Sequence, residues 1–146
     1  MSLKDFDDQD EILYTISDAK GVYKTYKEFT TLECWKLARN VKLFFYHKVI
    51  PLLPDEEKYN LGSQIRNAAV SCTANIAEGY GRFHFKESIQ FYRISRGSMF
   101  ELKDHLITCY DLKYLNSVKC EKGMTEIESA IKTLNGYIGY INKLNR

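Results

Sequence analysis

Ser71 to Arg82 reads SCTANIAEGYGR, the densest run of small and polar residues in the chain. Before it, Leu61, Ile65, Ala68, Ala69, Cys72 and Ile76 recur at helical spacing. Ala68, Ala69, Ser71, Ala74 and Ala77 are small, so a second helix can approach closely along this side. Asn75 lies three residues after Cys72, beside the apolar stripe. A buried amide there needs partners, because an unmet polar group costs about 1–3 kcal/mol. Gly79 and Gly81 are expected to end the helix, since glycine accepts a left-handed cap without a Cβ penalty. The stretch reads as a helix terminus with close packing and a polar clamp, or as a ligand or nucleic-acid site at a corner.

Working outward, the same periodicity gives four helices. Thr30 or Thr31 is expected to cap helix 1, whose inward stripe is Trp35, Ala38, Val41, Phe45, Val49 and Leu52, with Pro51 and Pro54 bracketing its end. Helix 2 is expected from Asp55, with Glu56 and Glu57 near its positive end, to about Glu78. Helix 3 begins near His84 or Phe85 and carries a heptad-like seam of Ile89, Tyr92, Ser95, Met99, Leu102, Leu106, Cys109 and Leu112. At 1.5 Å per residue it is about 46 Å long. Gly97 and Ser98 sit inside it, and close packing on the small-residue face of helix 2 is the expected compensation. Residues 115–122 read as a loop. Helix 4 is expected from Met124, with Ile127, Ile131, Leu134, Ile138, Ile141 and Leu144 inward and Gly136 and Gly139 in its interior. The fold class is all-α: an antiparallel up-down-up-down four-helix bundle over residues 30–146 with an N-terminal extension. Eleven tyrosines exceed what one such core holds, so some are expected at subunit contacts.

Residues 1–29 form the extension. ILYTI at 12–16 and VYKTY at 22–26 read as a short hairpin or as a helical turn after DDQDE. Residues 1–18 hold six carboxylates against Lys4, a net −5; with +2 for the whole chain, residues 19–146 carry +7. A basic body attracts phosphate backbones, and its acidic head can mask it.

The family resemblance lies in NIAEGYGR with Lys86, Glu87, Phe91 and RGSMFEL at 96–102. Leu32, Trp35, Pro54, Glu57, Leu61, Gln64, Ala68, Ala69 and Ser71 extend it upstream. From about Phe29 to Leu144 the chain resembles the small bacterial four-helix-bundle family encoded in intervening sequences of 23S ribosomal RNA genes. That family is similar in fold to the accessory protein of diversity-generating retroelements. The likeness implies a homopentamer, with nucleic acid or a nucleic-acid enzyme as partner. His84 stands where the family usually has a serine cap, which leaves the capping box with Glu87 in question.

Several chemistries are excluded or disfavoured. Nothing resembles a Glu-x-x-His di-iron motif, a GxSxG elbow or a P-loop. His105 and Cys109 are one turn apart, but no second ligand pair accompanies them. Cys34, Cys72, Cys109 and Cys120 form no CxxC pair and suit buried positions in a reducing, cytoplasmic setting. No apolar run is long enough to cross a membrane, and no secretory signal is visible. Glu78 and Glu101 read as clamp residues sooner than as paired catalytic carboxylates.

The sequence thus predicts a non-enzymatic homo-oligomer with no catalytic residue, metal or cofactor. Its nucleic-acid-binding residues are Arg82, Lys86, Arg93 and Arg96, beside Tyr80, Phe83 and His84, for RNA or DNA. Its structural polar clamp is Ser71, Asn75, Glu78, Ser98 and Glu101. The alternative is a scaffold or accessory factor for a protein partner without direct nucleic-acid contact.

Overall fold

A computed structural model describes residues 28–82 and 84–144. The hairpin expectation at 12–26 and Phe83 lie outside the described residues. Among the described residues there are four α-helices: α1 (Glu33–Phe44), α2 (Leu61–Tyr80), α3 (Phe85–Asp111) and α4 (Ser117–Leu144). The expected all-α bundle is what forms, and no strand occurs among the described residues.

The ends of α1 differ from expectation. Thr30 and Thr31 do not cap it. They belong to a 3-10 turn, Phe29–Thr31, and the Thr31 hydroxyl turns back to donate to the Glu28 carbonyl at 2.7 Å. The Phe29 ring meets Trp35 edge-on at 5.4 Å and seats that turn on the helix. At the far end Pro51 has no amide hydrogen, and its ring crowds the preceding turn. The helix leaves through a π turn, Phe45–Val49, and a 3-10 turn, Ile50–Leu52.

α2 starts at Leu61, because Asp55–Glu57 is a separate 3-10 turn and Asn60, with φ −113° and ψ −94°, interrupts the helical path. Its end also differs. Gly79 lies inside the last turn, and Gly81 caps it with a right-handed φ of −74°. Gly79 is small for packing: a Cβ there would sit 2.6 Å from Tyr92 Cε1. His84 precedes α3 in extended conformation with no side-chain cap bond.

α3 closes in a Schellman turn. The Tyr114 amide donates to the Cys109 carbonyl at 2.8 Å and the Lys113 amide to that of Tyr110 at 3.0 Å. Lys113 takes the left-handed position, φ 62°. α4 then begins at Ser117, earlier than expected, because Asn116 Oδ1 accepts the Lys119 amide at 2.9 Å and caps the helix. The polar run read as a loop is a cap and a first turn.

Each helix packs on two neighbours in the order α1, α2, α3, α4 and back to α1. Cys34, Ala38, Val41 and Phe44 are buried from α1, and Phe45 and Val49 from the π turn that follows it; Leu52 is exposed. The α3 seam is buried from Ile89 to Cys109, and only Leu112 escapes into the turn. Ile127, Ile131, Leu134, Ile138 and Ile141 are buried from α4. Each large apolar side chain so covered is worth about 1.5–3 kcal/mol.

Between α2 and α3, Ser71 meets Ser98, Cys72 meets Ser95 and Gly79 meets Tyr92. The rising numbers on one helix against falling numbers on the other make the pair antiparallel. Tyr92 with Tyr137, Arg96 with Asn135 and Lys103 with Glu128 show the same for α3 and α4. The small seam works through Ser95, fully buried, whose hydroxyl donates to the Cys72 carbonyl at 2.5 Å. Gly97 does not take part: nothing lies within 4 Å of a Cβ built on it. The tight glycine of α4 is Gly123, where a Cβ would sit 2.7 Å from both Leu106 Cδ2 and Phe44 Cε1.

Candidate nucleic-acid interface

Two outward stripes lie side by side on α3 and α4. On α3, Lys86, Gln90, Arg93, Gly97 and Phe100 follow spacings of four, three, four and three and are all exposed. On α4, Lys132, Gly136, Gly139 and Lys143 follow four, three and four; all are exposed except Gly139, which is partly buried. Such spacing keeps residues on one face of a helix. The register set by Arg96–Asn135 and Tyr92–Tyr137 brings the two stripes level.

The shared surface is basic and bare. It carries Lys86, Arg93, Lys132 and Lys143, with Arg96 on the seam, where its guanidinium donates to Asn135 Oδ1 at 2.7 Å. No carboxylate occurs from Ser88 to Phe100 or from Ser129 to Leu144. Gly97, Gly136 and Gly139 leave backbone open, with no heavy atom within 4 Å of a built Cβ. Phe100, 53% exposed, closes one end, its ring beneath the Lys103 ammonium at 5.6 Å. Lys86 and Arg93 stand about 10 Å apart along the helix at 1.5 Å per residue. Neither has an ion pair or hydrogen bond among the described residues.

Arg82 does not belong to this surface. Its guanidinium pairs with Glu78 at 3.3 Å and Glu87 at 3.2 Å and lies 4.7 Å from the Phe91 ring centroid. Those three contacts staple the end of α2 to the start of α3. Glu87 is thus engaged by Arg82, and the His84 side chain makes no cap bond at this end of α3. Sequence reasoning grouped Arg82 with Lys86 by proximity along the chain, and the corner turns them apart. It passed over Lys132 and Lys143, whose signal was their spacing with Gly136 and Gly139.

The clamp is smaller than expected. Ser71 and Ser98 share a hydrogen bond of 2.7 Å, and Asn75 Nδ2 donates to the Ser71 hydroxyl and carbonyl, each at 2.9 Å. Glu78 is taken by Arg82, and Glu101 faces His105 Nε2 at 3.3 Å, so neither carboxylate joins the serines or the other carboxylate. The clamp opens on the α2–α3 face, where Val70 and Ile94 are 48% and 52% exposed.

The remaining chemistry is subdued. His105 is held by Glu101 while Cys109 is fully buried, and no three His, Cys, Asp or Glu side chains converge as a metal site among the described residues. Burial pushes the thiols of Cys34 and Cys109 up to about 11 and that of Cys72 to about 12. At neutral pH they are protonated and poor nucleophiles. Burial lowers Lys42, which donates to Thr73 Oγ1 at 3.2 Å. No described helix is long and apolar enough to cross a membrane.

The family comparison fits this architecture. The model of the 23S rRNA-intervening sequence protein family matches residues 30–136, from the turn before α1 into the second half of α4. No curated protein matches the chain. With that match spanning most of the four helices, the chain belongs to the 23S rRNA-intervening sequence protein family.

Proposed function

We propose that the chain is a non-enzymatic bundle protein that binds nucleic acid on the α3–α4 face and assembles with further copies of itself. The observation that carries this reading is the surface of Lys86, Arg93, Arg96, Lys132 and Lys143 around exposed glycine backbone, with Glu128 at its border held by Lys103. Bare backbone lets a phosphate chain approach, and the cations replace its condensed counterions. Phe100 offers a ring at the edge of the same surface for an unstacked base.

Self-assembly is supported by Val70 and Ile94, apolar and open beside the small residues Ser71, Ala74 and Ser98. A second copy would cover them, and a ring would repeat the basic face around its rim. Five copies is the number that the resemblance to the retroelement accessory protein suggests.

The family is named for 23S rRNA intervening sequences, so structured RNA is the first probe and DNA the second. The reading expects retardation of labelled RNA in a native gel at 50 mM salt that disappears toward 500 mM. Light scattering is expected to give a multiple of the monomer mass. No retardation at the lower salt contradicts the binding; a monomer contradicts the assembly. A protein partner retained after nuclease treatment, with no gel shift, would favour the scaffold reading.

A further inference from the structure

We propose that the chain's own acidic segment, Asp5 to Asp18, docks on the α3–α4 face and competes there with nucleic acid. This rests on the reading of that face given above and adds its regulation.

Charge complementarity is the first argument. The segment holds Asp5, Asp7, Asp8, Asp10, Glu11 and Asp18 and no cation. The face holds five cations and no carboxylate in the stretches that form it. At the opposite end of the bundle Lys58, Lys113, Lys119 and Lys122 are interspersed with Asp55, Glu56, Glu57, Asp111 and Glu121, so no comparable acid-poor face is offered there.

The tether is the second. The described chain begins at Glu28, just before α1. Cys72 of α2 meets both the Ala38 carbonyl of α1 and the Ser95 hydroxyl of α3, and Phe44 at the end of α1 packs beside Gly123 near the start of α4. The start of α1 is therefore level with Arg93 and with the end of α4, where the basic face lies. Nine residues lie between Asp18 and Glu28, so ten Cα-to-Cα steps join them. Extended, they span up to about 33–36 Å. Crossing from α1 to the far side of α3 takes roughly two interaxial distances, about 20 Å.

The segment is thus a polyanion held close to a polycation. Tethering makes its local concentration high, so a weak ionic contact suffices to compete. The competition is electrostatic and falls as salt rises.

Two measurements on the full-length protein test it. Carbodiimide joins carboxylates to amines in ion-pair contact, and peptide mass spectrometry is expected to find residues 5–18 joined to Lys86, Lys132 or Lys143. A second protein carries Asp5→Asn, Asp7→Asn, Asp8→Asn, Asp10→Asn, Glu11→Gln and Asp18→Asn. It is expected to bind a fluorescent single-stranded RNA about tenfold more tightly than the wild type at 50 mM salt, with the two converging near 500 mM. Absence of those cross-links, or cross-links only to Lys58, Lys113 or Lys119, overturns the docking. Equal affinity of the two proteins overturns the competition and leaves RNA binding standing. The expected cross-links with no RNA binding by either protein support the docking and overturn the nucleic-acid reading instead.

Discussion

Gly79 in α2 and Tyr92 in α3 share one volume: a Cβ built on the glycine falls 2.6 Å from Tyr92 Cε1 and 3.0 Å from the Ser88 carbonyl oxygen. Tyr92 is itself fixed, buried and set edge-on against Tyr137 at 5.2 Å. The ring cannot yield without disturbing the α3–α4 seam as well. Gly79→Ala is therefore expected to lower stability by about 1–3 kcal/mol. A urea midpoint equal to that of the wild type would show that the two helices stand further apart.

Gly97 and Gly136 are the converse. Both are mid-helix and face open space. Alanine at either position restricts the unfolded chain and meets nothing in the folded monomer. Each substitution is expected to raise stability by about 0.5–1 kcal/mol. A loss of stability at Gly136→Ala would place another chain against that stripe and remove it as a nucleic-acid surface.

Glu126 gives the fold a pH dependence. Its Oε2 is buried without a hydrogen-bond partner, and burial raises its carboxyl above the usual 4.5, with Lys122 opposing. The folded chain holds this proton more tightly than the unfolded chain. That contribution is full below the ordinary carboxyl range and is lost as pH rises through the folded value. Glu126→Gln is expected to stabilise by about 1 kcal/mol at pH 8, since the site is only partly buried. The gain should vanish near pH 4. Thermal melts at the two pH values check this, and a gain that is the same at both would contradict it.

Thiol chemistry should separate the cysteines. Burial raises all four thiols, but Cys34, Cys72 and Cys109 are buried whereas Cys120 is only partly covered. Iodoacetamide at pH 8 is expected to modify Cys120 first, and the other three only under denaturant. Early alkylation of Cys72 would mean that the α1–α2 seam opens in the native state.

The helices were legible because their apolar residues repeat at 3.6, a signal that survives without any knowledge of neighbours. The α3 seam, for example, is buried from Ile89 to Cys109 as its spacing implied. What misled were residues with two meanings. Gly79 suits a cap or a close approach, and only Tyr92 decides between them. Asn116 and Ser117 suit a loop or a helix start, and the Lys119 amide decides. Arg82 suits a phosphate or a carboxylate, and Glu78 and Glu87 reach it first. In each case the deciding partner comes from an adjoining turn or another helix, where spacing within one helix carries no information. Lys132 and Lys143 were hidden differently. Their importance comes from lying beside α3, a relation fixed by Arg96 and Asn135 across the seam.

Charge reversal on the basic face, set against charge reversal at the corner, tests the central claim most directly. RNA affinity would be followed by fluorescence anisotropy across a salt series for the wild type, for Arg93→Glu with Lys143→Glu, and for Arg82→Glu. The face variant is expected to lose at least about tenfold in affinity at low salt and to show a shallower salt slope. Arg82→Glu is expected to lose stability and keep most of its affinity. Equal binding by the face variant and the wild type, or loss confined to Arg82→Glu, would contradict the account.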